Sequence, residues 1–277
     1  MPVPRIATYR LQLSPELGFA EAADLVADLA RLGISHLYLS PVAEAVPGST
    51  HGYDVVDPTT VRTELGGREG LWALARVARE HGIGIVVDLV PNHVATSLPE
   101  ANPWWWAVLR EGRDAPEADS FDVDWDHADG RVIVPVLGDD PDREIASGAL
   151  RIEGDVVRYH DRCFPLRPGT IPDGDVAARL ADQHYRLQHW RDPERNVRRF
   201  FTIDDLVAIR PEHRPVRLAV HRIAAALRAD GLLDGVRIDH VDGLADPASY
   251  LADLRRTLGD DVWLLVEKIV LGDCLLY

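Results

Sequence analysis

The 277 residues include one methionine, two cysteines and a single lysine, Lys268, among 30 basic side chains. Two cysteines, Cys163 and Cys274, cannot build a disulfide framework, which removes the small oxidised scaffolds and makes the cytoplasm the expected location. Long apolar runs are missing as well. None approaches the roughly 20 residues of a membrane span, and the opening MPVPRIATYRLQL lacks the basic region and apolar core of a signal peptide. Positive charge is scarce: 45 acidic residues against 30 basic give a net charge of −15. Nucleic acid and anionic membrane, which are gripped by basic surfaces, are therefore excluded as expected partners. No metal and no cofactor are expected. His160, His184 and His189 have no metal-ligand spacing, and the acidic run Asp122, Asp124, Asp126 lacks the glycine-bearing twelve-residue loop of a calcium site.

What the chain does have is a rhythm. Strand-like residues 6–11 precede a helix-period segment, 19–32, which stops at Gly33. A second strand, 34–39, ends in Ser40-Pro41, and after a polar loop a helix over 71–80 leads to the almost wholly apolar 83–90, with a lone Asp88. A continuous apolar strand is buried on both faces, which calls for a parallel sheet flanked by helices. From 95 to about 200 the rhythm is lost. A tryptophan-rich turn (Trp104, Trp105, Trp106) is followed by strands at 132–137, 150–152 and 156–159, the last two joined across Gly154-Asp155 as a hairpin. It then resumes with a helix over 211–229, a strand at 235–239, a helix over 247–258 and a strand at 262–266. The expected fold is α/β: about the first five strands of a (β/α)8 TIM barrel, with an inserted subdomain after the third strand. The division is 1–94, 95–200 and 201–277.

Three predicted strands end in polar groups: Asp88-Leu89-Val90-Pro91-Asn92-His93, Gly235-Val236-Arg237-Ile238-Asp239-His240 and Val266-Glu267-Lys268. An Asp or Asn after one strand often only caps the next helix. Three such endings on successive core strands mark the carboxyl-end face, where barrel enzymes keep their catalytic groups. Asp239 and Glu267 end consecutive strands. Neighbouring parallel backbones lie about 4.8 Å apart, which suits the carboxyl separation of about 5–5.5 Å in retaining glycosidases better than the wider inverting gap. Arg237, two residues before Asp239, points to the same face and is expected to keep that carboxylate ionised. His93 can donate a hydrogen bond to a sugar hydroxyl.

On these segments the sequence resembles the α-amylase superfamily of glycoside hydrolases and transglycosylases (family 13). Ser49-Thr50-His51-Gly52-Tyr53-Asp54, Asn102-Pro103-Trp104-Trp105-Trp106, Phe121-Asp122-Val123-Asp124-Trp125, Arg199-Phe200-Phe201 and Asp239-His240-Val241-Asp242-Gly243-Leu244 narrow the likeness to the maltooligosyltrehalose synthase family, along nearly the whole chain. The resemblance implies Asp239 as nucleophile and Glu267 as general acid/base. Tyr53 would stack under the reacting sugar with His51 and Asp54 nearby, and Asp88, Asn92, His93, Arg237 and His240 would shape the rest of the site. It implies a maltooligosaccharide or linear α-1,4-glucan substrate, whose reducing-end α-1,4 link becomes α,α-1,1, and functional pairing with a trehalose-releasing hydrolase. Common amylases place Lys-His where this chain has Asp242-Gly243, a departure expected to remove a basic contact. The superfamily's third carboxylate is not found, and 277 residues less the insert fall short of a barrel of about 250, so the chain is expected to be an amino-terminal portion. Two other readings stand beside this one: an α-1,4-glucan hydrolase of the same superfamily, or a catalytically inactive, glucan-binding fragment.

Overall fold

The computed structural model describes residues 3–170 and 175–269; Cys274 and the stretch 271–277 lie outside them. Contacts divide the chain into two compact units, one of residues 1–92 with 210–277 and one of residues 93–209.

The first unit is built on a parallel sheet of five strands: β1 (Thr8–Leu11), β2 (His36–Leu39), β3 (Gly84–Leu89), β4 (Gly235–Ile238) and β5 (Trp263–Val266), which lie side by side in that order. Among the described residues the sheet does not close. Its helices are α1 (Phe19–Arg31), α2 (Gly67–Glu80), α3 (Arg214–Val220), α4 (Arg222–Ala229) and α5 (Pro247–Leu258). The period-2 alternation of a strand sorts the side chains into two faces. Leu37, Leu39, Ile85, Val87, Val236 and Ile238 enter the apolar core with Phe19, Val26, Leu74, Leu227 and Leu254 of the helices. The opposite face carries His36, Tyr38, Asp88, Arg237 and Trp263. β3 is buried along its whole length, as its apolar run requires.

Local signals set the helix ends. The Glu21 carboxylate accepts the Gly18 N–H (3.0 Å), satisfying a donor at the start of α1. At its end Gly33 takes φ +84, a region closed to most side chains. The expected helix over 211–229 is two helices, α3 and α4, meeting at His221, whose buried ring bonds the Tyr250 hydroxyl on α5 (2.7 Å).

The second unit is mostly antiparallel. Leu150–Glu153 and Val156–Tyr159 pair as the expected hairpin, and Arg162–Pro165 adds a third strand. Val132–Leu137 pairs with Tyr185–His189 in parallel. The tryptophan-rich segment is a helix, Pro103–Glu111, and not a turn: the Asn102 side chain accepts the Trp105 N–H (2.9 Å) and Pro103 opens the first turn. Trp105 is buried against Phe121, while Trp104 and Trp106 are half-exposed.

Candidate active site

Tyr38, Asp88, Arg237 and Glu267 are brought together because they share one face of the sheet at the carboxyl ends of β2 to β5. Register puts Arg237 beside Asp88 on one side and Leu265 on the other. The 3% exposed Asp88 carboxylate accepts the Tyr38 hydroxyl (2.6 Å), the Tyr53 hydroxyl (2.7 Å) and the Arg237 Nη1 (2.8 and 3.0 Å). Nη1 also donates to Asp239 Oδ1 (2.9 Å), and Nη2 donates to Glu267 Oε2 (2.7 Å). One guanidinium thus bridges three carboxylates, and its fork fixes the direction of each bond as well as its charge.

The backbone holds the pair in place. The Asp239 N–H donates to the Leu89 carbonyl (2.9 Å) and the Glu267 N–H to the Ile238 carbonyl (2.9 Å), which continues the ladder through both carboxylate positions. The Asn92 amide donates to the Asp239 and His240 carbonyls (2.8 and 3.3 Å). His240 adopts φ +41, in the left-handed region that a side chain with a Cβ enters at a cost. In that conformation its N–H reaches Glu267 Oε2 (3.1 Å). A Cβ at Gly243 would meet the His240 ring at 2.9 Å, so glycine is what the turn accommodates there.

Burial decides the electrostatics. It pushes the Asp239 carboxyl up, to about 6; Arg237 pulls it down by charge and hydrogen bond, while the charges of Asp88 and Glu267 push it further up. Arg237 acts on Asp239 in the expected direction, towards the ionised form, but desolvation outweighs it and leaves the carboxyl above its usual value. Asp88 is raised for the same reason, against the hydrogen bonds of Tyr38, Tyr53 and Arg237. Burial works against the Arg237 charge too, yet Asp88 prevails and the guanidinium is held protonated more firmly than usual.

The remaining sequence-predicted residues fall in three places. His51 stacks on Tyr53 (ring centroids 6.2 Å apart, planes at 23°), and its Nδ1 accepts the Tyr53 N–H (3.0 Å). Asp54 accepts the Ser49 hydroxyl (2.5 Å) and so braces the loop that presents Tyr53. His93 lies in the second unit, buried, its ring on Phe200 at 4.2 Å. Asp242, where common amylases have lysine, is not remote from positive charge: the Lys268 ammonium donates to it, and so does the Ile269 N–H (2.8 Å). Two residues were missed. Tyr38 donates to Asp88, and Arg10 donates to the Tyr53 hydroxyl (3.2 Å) and lies over the Tyr38 ring. The alternation that pairs Arg237 with Asp239 applies equally to Tyr38 and Ser40 at the end of β2, and would have flagged the tyrosine. Among the described residues no group of three or more His, Cys, Asp or Glu side chains is arranged to hold a metal ion.

Parallel α/β strands ending in clustered carboxylates fit the α-amylase class, and the family described as "Alpha amylase, catalytic domain" matches residues 23–143. The finer likeness is to maltooligosyl trehalose synthases. The chain is 50% identical over 278 residues, 99% of its length, to a putative maltooligosyl trehalose synthase of Mycobacterium tuberculosis H37Rv, of which it covers 36%. The solved structure of maltooligosyltrehalose synthase from Arthrobacter ramosus superposes with a TM-score of 0.92 at 45% identity, over 99% of this chain and 36% of that one. A hypothetical maltooligosyl trehalose synthase from Sulfolobus tokodaii gives 0.83 at 35% identity, over 96% and 36%. In sequence and fold, then, the chain matches about a third of the length of the maltooligosyl trehalose synthases to which it is similar.

Proposed function

We propose that this chain carries the nucleophile and the acid/base of an intramolecular transglycosylation that turns the reducing-end α-1,4 link of a maltooligosaccharide into an α,α-1,1 link. The observation that carries the reading is the Arg237 fork, which ties Asp239 and Glu267 together at the ends of adjacent parallel strands. Asp239 attacks the anomeric carbon of the penultimate glucose. The C1–O4 bond breaks, and the Glu267 proton goes to the leaving oxygen. Because Oε2 of Glu267 is engaged by Arg237 and His240, that proton belongs on Oε1. The freed glucose turns in the pocket, its anomeric hydroxyl gives a proton back to Glu267, and its oxygen displaces Asp239 from the same carbon. Two displacements restore the α configuration, no oxidant or activated sugar is consumed, and water must be kept out because it would capture the glycosyl-enzyme.

The sheet is the first five strands of an eight-stranded barrel, with 93–209 inserted after β3. Its curvature supports this. β2 and β5 are separated by two strands, which in a flat sheet would put them about 14 Å apart. Yet the His36 and Trp263 rings meet edge-on at 5.8 Å, and Arg5, just before β1, reaches the Asp261 carbonyl just before β5 (2.8 Å). Tyr53, ringed by His51 and Arg237, is the platform for the reacting sugar, with Asp88, Asn92 and His240 around it; His93 is assigned to substrate binding as well. A cytoplasmic location and a trehalose-releasing hydrolase as metabolic partner belong to the same reading.

The test is a graft. Residues 1–277 replace the matching third of the Mycobacterium relative, and the product is incubated with maltopentaose while reducing ends and glucose are followed. Transfer consumes reducing ends and releases little glucose. Asp239→Asn should slow it by at least about a thousandfold, since a lost nucleophile removes more than about 4 kcal/mol of barrier lowering. A rise in reducing ends would favour the hydrolase reading, and near-normal turnover of Asp239→Asn would mean that another residue attacks.

A further inference from the structure

Two of the cavities outside the carboxylate cluster are lined by three arginines each, and they differ in what those arginines already hold. At the amino end of the parallel sheet a cavity of about 280 Å³ is lined by Arg5, Arg79 and Arg228. Each is engaged there: Arg5 with the Asp261 carbonyl, Arg79 with Asp234 (3.0 Å) and Arg228 with Asp261 (2.7 Å). The second unit has a cavity of about 360 Å³ lined by Trp106, Arg110, Asp155, Arg167 and Arg179. Here, of the described residues, only Arg167 has a carboxylate partner, Asp182 (3.2 Å). Among the described residues no ion pair takes the exposed Arg110, and the Nε of Arg179 is closed off from water with nothing to donate to. A buried donor without an acceptor costs stability, and in a protein of net charge −15 three guanidinium groups around one cavity, facing a single carboxylate among the described lining residues, stand out.

The walls are fixed. Trp106 and Arg110 are four residues apart on one helix and share a face. Gln183, 2% exposed, locks the opposite side: it accepts the Arg167 N–H (2.7 Å) and donates to the Arg179 carbonyl (2.6 Å) and the Thr170 hydroxyl (3.2 Å). The Leu166 N–H donates to the Asp155 carbonyl (3.0 Å), tying the hairpin tip to the same turn.

We propose that this cavity binds a monosaccharide phosphate, with the phosphoryl oxygens taken by Arg110, Arg167 and Arg179 and the sugar ring lying against Trp106. Planar guanidinium groups match phosphate oxygens in geometry and charge, and an indole face gives the C–H side of a pyranose an apolar surface. The volume sits at the low end of small-ligand pockets, which suits one phosphorylated ring and excludes a long glucan. This site is separate from the transglycosylation chemistry and stands or falls without it.

Titration calorimetry on the 277-residue chain tests it, with glucose 1-phosphate, inorganic phosphate, glucose and maltose as probes. Glucose 1-phosphate should bind at least tenfold tighter than glucose or inorganic phosphate, and more weakly as salt rises. Arg110→Glu, at an exposed position that folding does not need, should weaken it at least tenfold, and Arg110→Ala with Arg179→Ala should abolish it. Trp106→Ala should cut the advantage of glucose 1-phosphate over inorganic phosphate. Asp239→Asn should leave all of this unchanged. No binding of glucose 1-phosphate, equal binding by parent and Arg110→Glu, or maltose binding as tightly as the phosphate ester would each overturn the proposal.

Discussion

The two ends of the parallel sheet use the same ingredients, arginine and aspartate, in opposite proportions. At the amino end, Asp234 accepts both arms of Arg79 (3.2 and 3.0 Å) and the Ile85 N–H (2.9 Å), and Asp261 accepts Arg228. Carboxylate and cation are matched, and the arrangement serves the fold. At the carboxyl end a single guanidinium, Arg237, is shared by Asp88, Asp239 and Glu267. Burial there raises Asp88 and Asp239 and is not fully offset. An excess of buried negative charge is poor design for stability, and it is what a site needs if it is to hold one carboxylate as a nucleophile and protonate another. The contrast separates the end that anchors the sheet from the end proposed to do the chemistry.

The largest effect should come from removing the shared cation. Arg237→Met strips the counter-ion from three carboxylates, one of them fully buried, and breaking a buried pair in this way costs about 3–5 kcal/mol. Arg79→Met at the amino end removes a one-third exposed partner from a carboxylate that keeps its backbone donor, and should cost about 1 kcal/mol. Urea unfolding of both variants measures the difference. The Arg237→Met loss should shrink as pH falls and the carboxylates take up protons; an equal loss in the two variants at neutral pH would erase the distinction between the ends.

The same substitution should have opposite signs at the two ends. Asp239 titrates near 6 in the folded chain and near 4 when unfolded. Between those values the folded state binds more protons, so stability falls as pH rises from about 4 to 6, and above that window the loss is complete. Its size is on the order of 2–3 kcal/mol, since each tenfold change in proton affinity is worth about 1.4 kcal/mol. Asp239→Asn should therefore raise the urea midpoint at pH 7 and flatten the fall between pH 4 and 6, leaving the part due to Asp88. Asp234→Asn, which gives up charge-assisted bonds to Arg79 and Ile85, should lower it by about 1.5–3 kcal/mol. If both lower it, the carboxyl end is no more charge-frustrated than the amino end.

The sequence carries the parallel sheet because its strands read in simple patterns: apolar runs, a polar residue at each carboxyl end and helix stops at Gly33 and Gly82. The helix expected over 247–258 is found at those bounds. The parts that failed depend on partners distant in sequence. A tyrosine in a strand reads as core, and only the fold shows the Tyr38 hydroxyl reaching Asp88. Asn102-Pro103 reads as a turn when its tryptophans hide the periodicity, although Asn before Pro is also a helix opening. The strand Arg162–Pro165 is too short to alternate visibly. The pairing of Asp242 with Lys268, 26 residues on, follows from the closeness of β4 and β5 and has no local signal.

That last pair gives the smallest effect and the finest division of the carboxyl end. Lys268 and Asp242 lie at its rim, with side chains 59% and 27% exposed. Water and salt screen such a pair, and the entropy of holding a lysine still offsets much of its attraction. Asp242 also keeps the Ile269 N–H when the lysine goes. Its carboxyl is held below the usual range by the Lys268 hydrogen bond first and the Ile269 N–H second, so Lys268→Met should let it rise only part of the way back. Carbon-13 titration of the Asp242 carboxyl would follow that rise, and the urea midpoint should be nearly unchanged at low salt and unchanged at 0.5 M sodium chloride, where the Debye length is about 4 Å. A large, salt-resistant loss of stability would show that the rim pair is as essential as the Arg237 cluster, and that charge frustration at this end extends beyond the three carboxylates that share one arginine.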